Sequence, residues 1–231
     1  MNIFRYRKFQ NHIIITAVRW YLRYGISYRD LEDMMLERGI RIDHSTLNRW
    51  VVAYASKFAK KLRKYRRSLS SKTWYVDETY VKVKGRWHYL YRAVGKDGET
   101  IDFYFSAKRN IGEATHFLAE SLKKISKLEH PKVINTDKHL SYPSAIDNLK
   151  KARLIRKNTV HRTSKYLNNR VESDHAKLKR LIKPTLGFKA FDSANATLTG
   201  FELMRMFKKG QFIGACNVRE EAILFARALR A

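Results

Sequence analysis

The spacing of apolar residues changes at Trp74, and this change limits the architectures that the chain can adopt. Before Trp74, apolar residues recur at helical spacing, as Ile14 and Val18 do. After Trp74, Val81 and Val83 alternate with charged residues, which is typical of strands. The sequence therefore predicts a helical part followed by an α/β part.

The helical part carries the signals of three short helices. Ser27 and Asp30 have the spacing of a capping box, Gly39 is placed to end the second helix, and Asp43 can begin the third. Three short helices in this arrangement resemble a helix-turn-helix, although the connection before the third helix is longer than a tight turn. We assign residues 1–58 to a basic arm and a helix-turn-helix DNA-binding domain. A helical bundle without groove contacts is the alternative.

A basic segment follows the helices, with no acidic residue between Lys57 and Lys72. Such runs are often only solvated, but this one lies between a candidate DNA-reading domain and a candidate catalytic core, so we expect it to contact phosphates. We treat residues 59–72 as a basic linker. The residues predicted to contact DNA come from the third helix, from this linker and from the region of the last candidate acid: His44, Ser45, Thr46, Asn48, Arg49, Lys60, Lys61, Arg63, Lys64, Arg66, Arg67, Arg162, Lys165 and Lys179.

The charge of the chain indicates its partner. Lys and Arg number 48 against 21 Asp and Glu, which leaves a formal net charge of +27. Self-repulsion of this size is relieved by a polyanion, and nucleic acid is the usual one. The longest apolar run near the start, Ile13 to Ile15, is far too short to span a bilayer or to direct secretion, so we expect a cytoplasmic protein without membrane contact. A single cysteine excludes an intramolecular disulfide and a Cys-rich zinc site.

The α/β part is predicted to have the element order β-β-β-α-β-α-β-α, and the first three strands are consecutive and antiparallel. This order describes a mixed sheet flanked by helices over residues 73–215, and a C-terminal helix is expected over 216–231. After the third strand, which ends at Phe105, the predicted elements are a helix from about Glu113 to Lys127, a strand from Lys132 to Asp137, a helix from about Pro143 to Lys151, a strand over Arg153–Arg156 and a helix from Asn169 through Leu181.

Two acids occupy strand positions where a charge needs a partner or a metal. Asp77 lies within the first strand, and Asp137 ends the central one, where α/β sheets place ligand-binding groups. Strand alternation sends Asp77 and its neighbour Glu78 to opposite faces, so we expect only one of them to join an acid cluster.

A third acid is expected from the helix that begins near Asn169. Helical geometry favours Glu172 modestly over Asp174, which is closer to the apolar stripe of Val171 and Leu178. Glu172 near a helix start could also act only by stabilising the helix dipole. From the residues alone, the choice stays open.

Several blocks of sequence resemble the DDE transposases of bacterial insertion sequences, in the IS-six family. The resemblance covers nearly the whole chain. It is carried by Tyr75–Trp87 and Tyr89–Val94 as a first catalytic block, by Asn135–Lys138 as a second, by Asn168–His175 and Lys177–Arg180 as a third, and by Tyr24–Arg29, Asp43–Thr46 and Thr185–Lys189.

The resemblance implies an RNase-H-like catalytic core of the retroviral-integrase type, with Asp77, Asp137 and Glu172 as catalytic and metal-binding residues. Hard carboxylate oxygens prefer Mg²⁺ or Mn²⁺, and two such ions per active site would activate the attacking oxygen and stabilise the leaving one. Lys179 matches the basic residue that the class uses near the DNA end.

The implied function is that of a transposase. It would bind the terminal inverted repeats of its element, cleave strands at the ends and join the 3′-hydroxyl to target DNA, forming cointegrates. Holding two ends implies a homodimer or a higher synaptic oligomer, associated with the bacterial nucleoid. The alternatives are a non-catalytic helix-turn-helix regulator and an RNase-H-type nuclease without strand transfer.

Overall fold

The structure is a computed structural model that describes residue 4 and residues 8–68, 71–163 and 169–230. In chain order its longer elements are α1 (Asn11–Arg23), α2 (Tyr28–Leu36), α3 (His44–Leu62), β1 (Thr73–Val83), β2 (Arg86–Gly95), β3 (Thr100–Ser106), α4 (Ile111–Lys123), β4 (Val133–Thr136), α5 (Ser141–Lys151), β5 (Val160–Thr163), α6 (Asn169–Ile182), α7 (Phe191–Lys208) and α8 (Val218–Arg230).

Contacts separate the chain into two compact units. The helical unit comprises Met1–Arg67 and Leu178–Ala231, and the sheet unit comprises Ser68–Lys177. This division differs from the predicted domain boundaries, because residues after Leu178 pack with the N-terminal helices although we placed them in the catalytic core up to residue 215. Helix α3 also continues to Leu62, four residues beyond the predicted end of the first domain at residue 58.

In the helical unit, local side-chain bonds set the helix starts as the sequence predicts. The Ser27 hydroxyl accepts from the Asp30 N–H at 3.1 Å, and the Asp30 carboxylate accepts from the Ser27 N–H at 2.8 Å, which completes the capping box of α2. Asp43 caps α3 by accepting from the Ser45 N–H at 2.8 Å. Gly39 takes a φ of +71° after α2, where a residue with a Cβ would be strained.

Helix α7 closes the core of the helical unit by packing against α1 and α3. An apolar series at helical spacing along α7 is buried throughout: Ala194, Leu198, Phe201, Met204 and Phe207. Where α7 crosses the other two helices it carries Gly200, and its main chain there approaches Leu22 and Ala55 closely.

The sheet unit contains one five-stranded mixed sheet with the order β3-β2-β1-β4-β5. Strand β2 is antiparallel to β1 and β3, whereas β4 is parallel to both β1 and β5. Helices α4 and α5 bury Phe117, Leu118, Ile146 and Leu149 in one core with Trp74 and its neighbours in the sheet. The predicted element order and the predicted fold class, a mixed α/β sheet preceded by an all-α domain, are confirmed.

The predicted strand over Arg153–Arg156 is wrong. That segment is a turn after α5 in which Arg153 has a φ of +55°, and the strand that pairs with β4 is β5, seven residues later. Two adjacent apolar residues, Leu154 and Ile155, suggested a short strand. In the structure Ile155 packs in the core from an irregular segment. Helix α4 likewise begins at Ile111 and ends at Lys123, earlier than the predicted end at Lys127.

Over the part of the chain that the structure describes, no helix is long and apolar enough to cross a membrane.

Candidate active site

The first candidate acid, Asp77, lies in the middle of β1 with 16% of its side chain exposed. Its Oδ1 accepts a hydrogen bond from the Glu78 N–H at 2.9 Å. Its Oδ2 lies 3.9 Å from Nδ1 of His175, a residue of α6. One carboxylate oxygen is therefore bonded to the main chain, and the other faces α6.

Asp137 follows the last residue of β4, and the sheet places it beside Asp77. The pairing of β4 with β1 ends at Thr136 and Val76, so β4 does not pair with the next residues of β1. Asp137 lies at this open edge, and its Oδ1 accepts from the His139 N–H at 3.0 Å. Both aspartates thus use Oδ1 to bond the main chain.

Glu78 belongs to the same cluster, which corrects the prediction that only one of the neighbouring acids could join it. One carboxylate oxygen from each of Asp77, Glu78 and Asp137 lies within 4.8 Å of the others. The two neighbours do leave β1 in opposite directions, since Asp77 approaches His175 of α6 and Glu78 bonds Tyr142 of α5. Because β4 leaves the edge of β1 open here, both side chains can reach the same space from either face.

The cluster raises the pKa of Asp77 to about 7. Burial is the largest cause, and the negative charges of Glu78, Asp137 and Glu172 act in the same direction. Carboxylates crowded in this way are stabilised by a cation. The arrangement and its oxygen ligands therefore fit a divalent metal ion.

The rival acids of α6 occupy different environments. Asp174 is buried and forms an ion pair with Arg92 of β2, whose side chain has no solvent exposure. Glu172 is exposed, and its charge raises the pKa of Asp77. Among the described residues, Glu172 is not in the group of acids whose oxygens lie within 4.8 Å of one another. The structure thus gives Asp174 a structural partner and leaves Glu172 accessible.

Two residues that sequence reasoning missed hold Glu78. Arg109, between β3 and α4, donates from Nε to Oε1 of Glu78, and its Nη2 lies 3.7 Å from Oδ2 of Asp137. The buried hydroxyl of Tyr142 donates to Oε2 of Glu78. Both Glu78 oxygens therefore have partners. No local pattern could reveal Arg109, because its partner lies 31 positions earlier in the chain.

Two further histidines of the sheet unit, His139 and His161, are bonded to nearby side chains. His161 Nε2 lies 2.9 Å from the Thr136 hydroxyl, and His139 Nδ1 lies 2.7 Å from the Ser141 hydroxyl. Neither belongs to the acid cluster around Asp77.

Most of the predicted DNA-contacting residues are exposed. At the start of α3, His44, Ser45, Asn48 and Arg49 face solvent, and Arg49 donates to the Thr46 hydroxyl at 2.9 Å. Half-buried positions are Thr46, Lys61 and Arg66; exposed ones are Lys60, Arg63, Lys64, Arg67, Arg162 and Lys179, while Lys165 lies outside the described residues. Their contacts with DNA stay a prediction.

Comparison with known proteins adds a second line of evidence. Residues 71–211 match the model of a DDE domain family, DDE_Tnp_IS240. The chain is 37% identical over 231 residues to the transposase for insertion sequence-like element IS431mec of Staphylococcus aureus, which covers 98% of this chain and 100% of that protein. It is 36% identical, over the same shares, to the transposase for insertion sequence element IS257 in transposon Tn4003, also from Staphylococcus aureus.

Among solved structures, the chain is similar to the catalytic core domain of BIV integrase. The two are 17% identical, with a TM-score of 0.46, over 70% of this chain and 99% of that one.

Proposed function

Since this chain belongs to the IS-six family of bacterial insertion-sequence DDE transposases, we propose that it cleaves the ends of its own element and joins the freed 3′-hydroxyls to target DNA. The family membership confirms the resemblance seen in the sequence, and with the mixed sheet it confirms the predicted RNase-H-like core. The chain is thus a metal-dependent polynucleotidyl transferase.

The acid cluster at the open edge of β1 carries the assignment of the active site. We propose that Asp77, Asp137 and Glu172 hold the metal. Asp77 and Asp137 each bond the main chain through Oδ1 alone, whereas both oxygens of Glu78 already accept from Arg109 and Tyr142. Glu78 would accordingly support the site without being a ligand.

We propose Mg²⁺ or Mn²⁺, two ions per site, because carboxylate oxygens are hard ligands. Such ions, when held there, would favour the deprotonated form of the attacking hydroxyl and stabilise the charge that develops on the oxygen leaving the phosphate. The contribution of the chain is to hold Asp77 and Asp137 in fixed orientations through the Glu78 and His139 amides.

We propose that the helical unit binds the terminal inverted repeats through the exposed start of α3, and that the basic residues after it bind phosphates. Two ends must be brought together before joining, which favours a homodimer or a higher synaptic oligomer. Target DNA in the bacterial nucleoid is the second substrate. Cointegrates are the expected product.

The test is to give purified protein Mg²⁺, a target plasmid and an element end, which is either intact to report cleavage or pre-nicked to report joining. We expect joined product from the parent protein, and end binding without cleavage or joining from Asp77→Asn. The matched control is Asp147→Asn, an exposed acid on α5, which should leave joining unchanged. Cleavage without joining would identify a nuclease, end binding without either would identify a regulator, and unimpaired joining by Asp77→Asn would contradict the metal-site assignment.

A further inference from the structure

The hairpin formed by β1 and β2 carries two large aromatic side chains that the core does not use. Trp87 is 56% exposed and Tyr80 is 45% exposed. Lys82, Lys84 and Arg86 are exposed around them. From Thr79 to Arg92 the sequence contains no acidic residue, so the chain places no carboxylate beside these cations in that stretch. We call Tyr80, Lys82, Lys84, Arg86 and Trp87 the hairpin strip.

Tyr80, Lys82 and Trp87 of the hairpin strip lie on the same face of the sheet as Glu78. Lys84 lies in the turn, and Arg86, which pairs with Val83, begins β2 beside that turn. In the β1–β2 register Glu78 is opposite Tyr91, Tyr80 is opposite Tyr89 and Lys82 is opposite Trp87. Directly opposed residues of antiparallel strands point to the same face, and alternate residues share it. Positions 78, 80 and 82 of β1 therefore form one row that leads away from the acid cluster.

Arg109 connects the hairpin strip to the acid cluster. It bonds Glu78 through Nε, and its Nη1 donates to the Tyr80 hydroxyl at 3.0 Å. Its Nη2 lies 3.7 Å from Asp137. The strip is thus continuous with the proposed active site through one side chain.

The aromatic rings are held in fixed positions. Tyr80 meets Trp87 edge-on with ring centroids 6.0 Å apart, and Nζ of Lys82 lies 5.7 Å from the Trp87 ring centre. The turn between the strands places Lys84 at a φ of 48° and Gly85 at 76°, both left-handed, as in a tight two-residue hairpin. A rigid turn presents the exposed ring with little loss of entropy on binding.

Cross-strand aromatic pairs often serve only to stabilise a hairpin. That role does not explain why more than half of Trp87 is exposed, nor why cations surround it. A second copy of this surface is a poor occupant, because two strips of the same positive charge would repel. Unpaired DNA is a good one, because its bases stack on aromatic rings while lysine and arginine bind its phosphates.

We propose that the hairpin strip binds an unpaired nucleotide of the DNA next to the strand that is cut, with the base stacked on Trp87 and Tyr80 and its phosphates held by Lys82, Lys84 and Arg86. The proposal rests on the proposed function, since it takes the acid cluster as the place of cutting. It assigns the strip to DNA that is already locally unpaired.

The experiment measures binding only, so it does not depend on joining. Full-length protein carrying Asp77→Asn is titrated onto two probes, a blunt duplex of the element end and the same duplex with a short unpaired tail containing 2-aminopurine. Stacking on an aromatic ring quenches 2-aminopurine. The variants are Trp87→Ala and the conservative Trp87→Phe, with Leu128→Ala as a control at an exposed apolar residue of the sheet unit outside the strip.

We expect Trp87→Ala to weaken binding of the tailed probe by roughly 5- to 100-fold, to abolish quenching and to leave blunt-duplex binding unchanged. Trp87→Phe should retain part of the quenching, and Leu128→Ala should behave like the parent. Lys82→Gln should weaken binding of the tailed probe more than Lys157→Gln does. Lys157 is an exposed lysine just before β5.

If Trp87→Ala weakened binding of the tailed and the blunt probe equally, or weakened neither, the proposal would be overturned. A shift of Trp87→Ala toward monomer in sedimentation, with tailed-probe binding intact, would also overturn it and assign the strip to contacts between copies. Failure of the proposed function would instead appear as absent joining by the parent protein, which this binding assay does not measure.

Discussion

At the scale of single residues, Asp77 couples folding to pH. Its pKa is about 7 in the folded protein, against 3.8 for an ordinary aspartate, because it is buried and close to other acids. Between these values the folded state holds a proton that the unfolded state has lost. The free energy of unfolding therefore falls as pH rises from about 4 to about 7 through this group, and the loss is complete above that range.

Asp77→Asn removes this penalty. In metal-free buffer the variant should be more stable than the parent by about 2–4 kcal/mol at pH values above about 7, and nearly equal to it below about 4. Urea unfolding of both proteins across this range, with Asp147→Asn as the exposed control, measures the difference. A difference that does not grow with pH would show that Asp77 ionises normally.

Substitutions of the two acids of α6, Asp174 and Glu172, should have different effects on the free energy of unfolding. Asp174→Ala leaves the buried Arg92 guanidinium without its carboxylate and should cost about 3–5 kcal/mol of stability. Glu172→Gln changes an exposed side chain, so its effect on stability should stay within about 0.5 kcal/mol, while strand cleavage is lost. Thermal unfolding and a nicking assay on both variants test this. A destabilised, active Glu172→Gln would reverse the assignment.

At the scale of elements, the crossing of α7 with α1 and α3 depends on Gly200. A Cβ there would lie 2.5 Å and 2.7 Å from the Leu22 methyl carbons and 3.1 Å from the Ala55 Cβ. Gly200→Ala gains about 1 kcal/mol of helix propensity, but overpacking of a buried crossing costs about 1–3 kcal/mol. We expect net destabilisation in urea unfolding, and none for Asn195→Ala on the exposed side of α7. A stabilised Gly200→Ala would mean that the helices move apart without cost.

The sequence predicted what depends on local spacing. The alternation after Trp74, the capping box at Ser27 and the acid that ends β4 are local patterns, and each lies where it was expected. The wrong strand at Arg153–Arg156 has a physical reason, since an apolar residue such as Ile155 can enter the core from a turn as well as from a strand.

The sequence could not predict which side chains from other elements contact the acidic residues. The bonds of Glu78 to Arg109 and Tyr142 join residues 31 and 64 positions apart, and only the folded sheet brings them together. Helical spacing could not separate Glu172 from Asp174 either, because the decisive partner, Arg92, lies on another element. Choosing among the acids required either the family resemblance or the tertiary contacts.

At the scale of the whole molecule, the net charge of +27 makes DNA binding sensitive to salt. Each phosphate that the protein neutralises contributes about −0.9 to the slope of log affinity against log salt for duplex DNA. Replacing the exposed Lys60, Arg63 and Lys64 by Gln should therefore make the slope less negative by about 2–3.

Binding of duplex DNA over a range of salt concentrations measures this slope. The matched control replaces three exposed lysines of the sheet unit, Lys127, Lys151 and Lys157, and should change the slope less. Equal changes in the two triple variants would mean that the basic segment after α3 contributes only to the overall charge.

The short strand β4 determines where the chain can accept insertions and deletions. One residue added between Val133 and Asp137 would move the acid about 3.3 Å along β1 and turn it to the other face of the sheet. The segment between α5 and β5 contributes no acid to the cluster, and its length can change without moving Asp137. Length variants of this chain should therefore remain functional when altered at the exposed residues 156–158, between the buried Ile155 and Thr159, and fail when altered by one residue before Asp137.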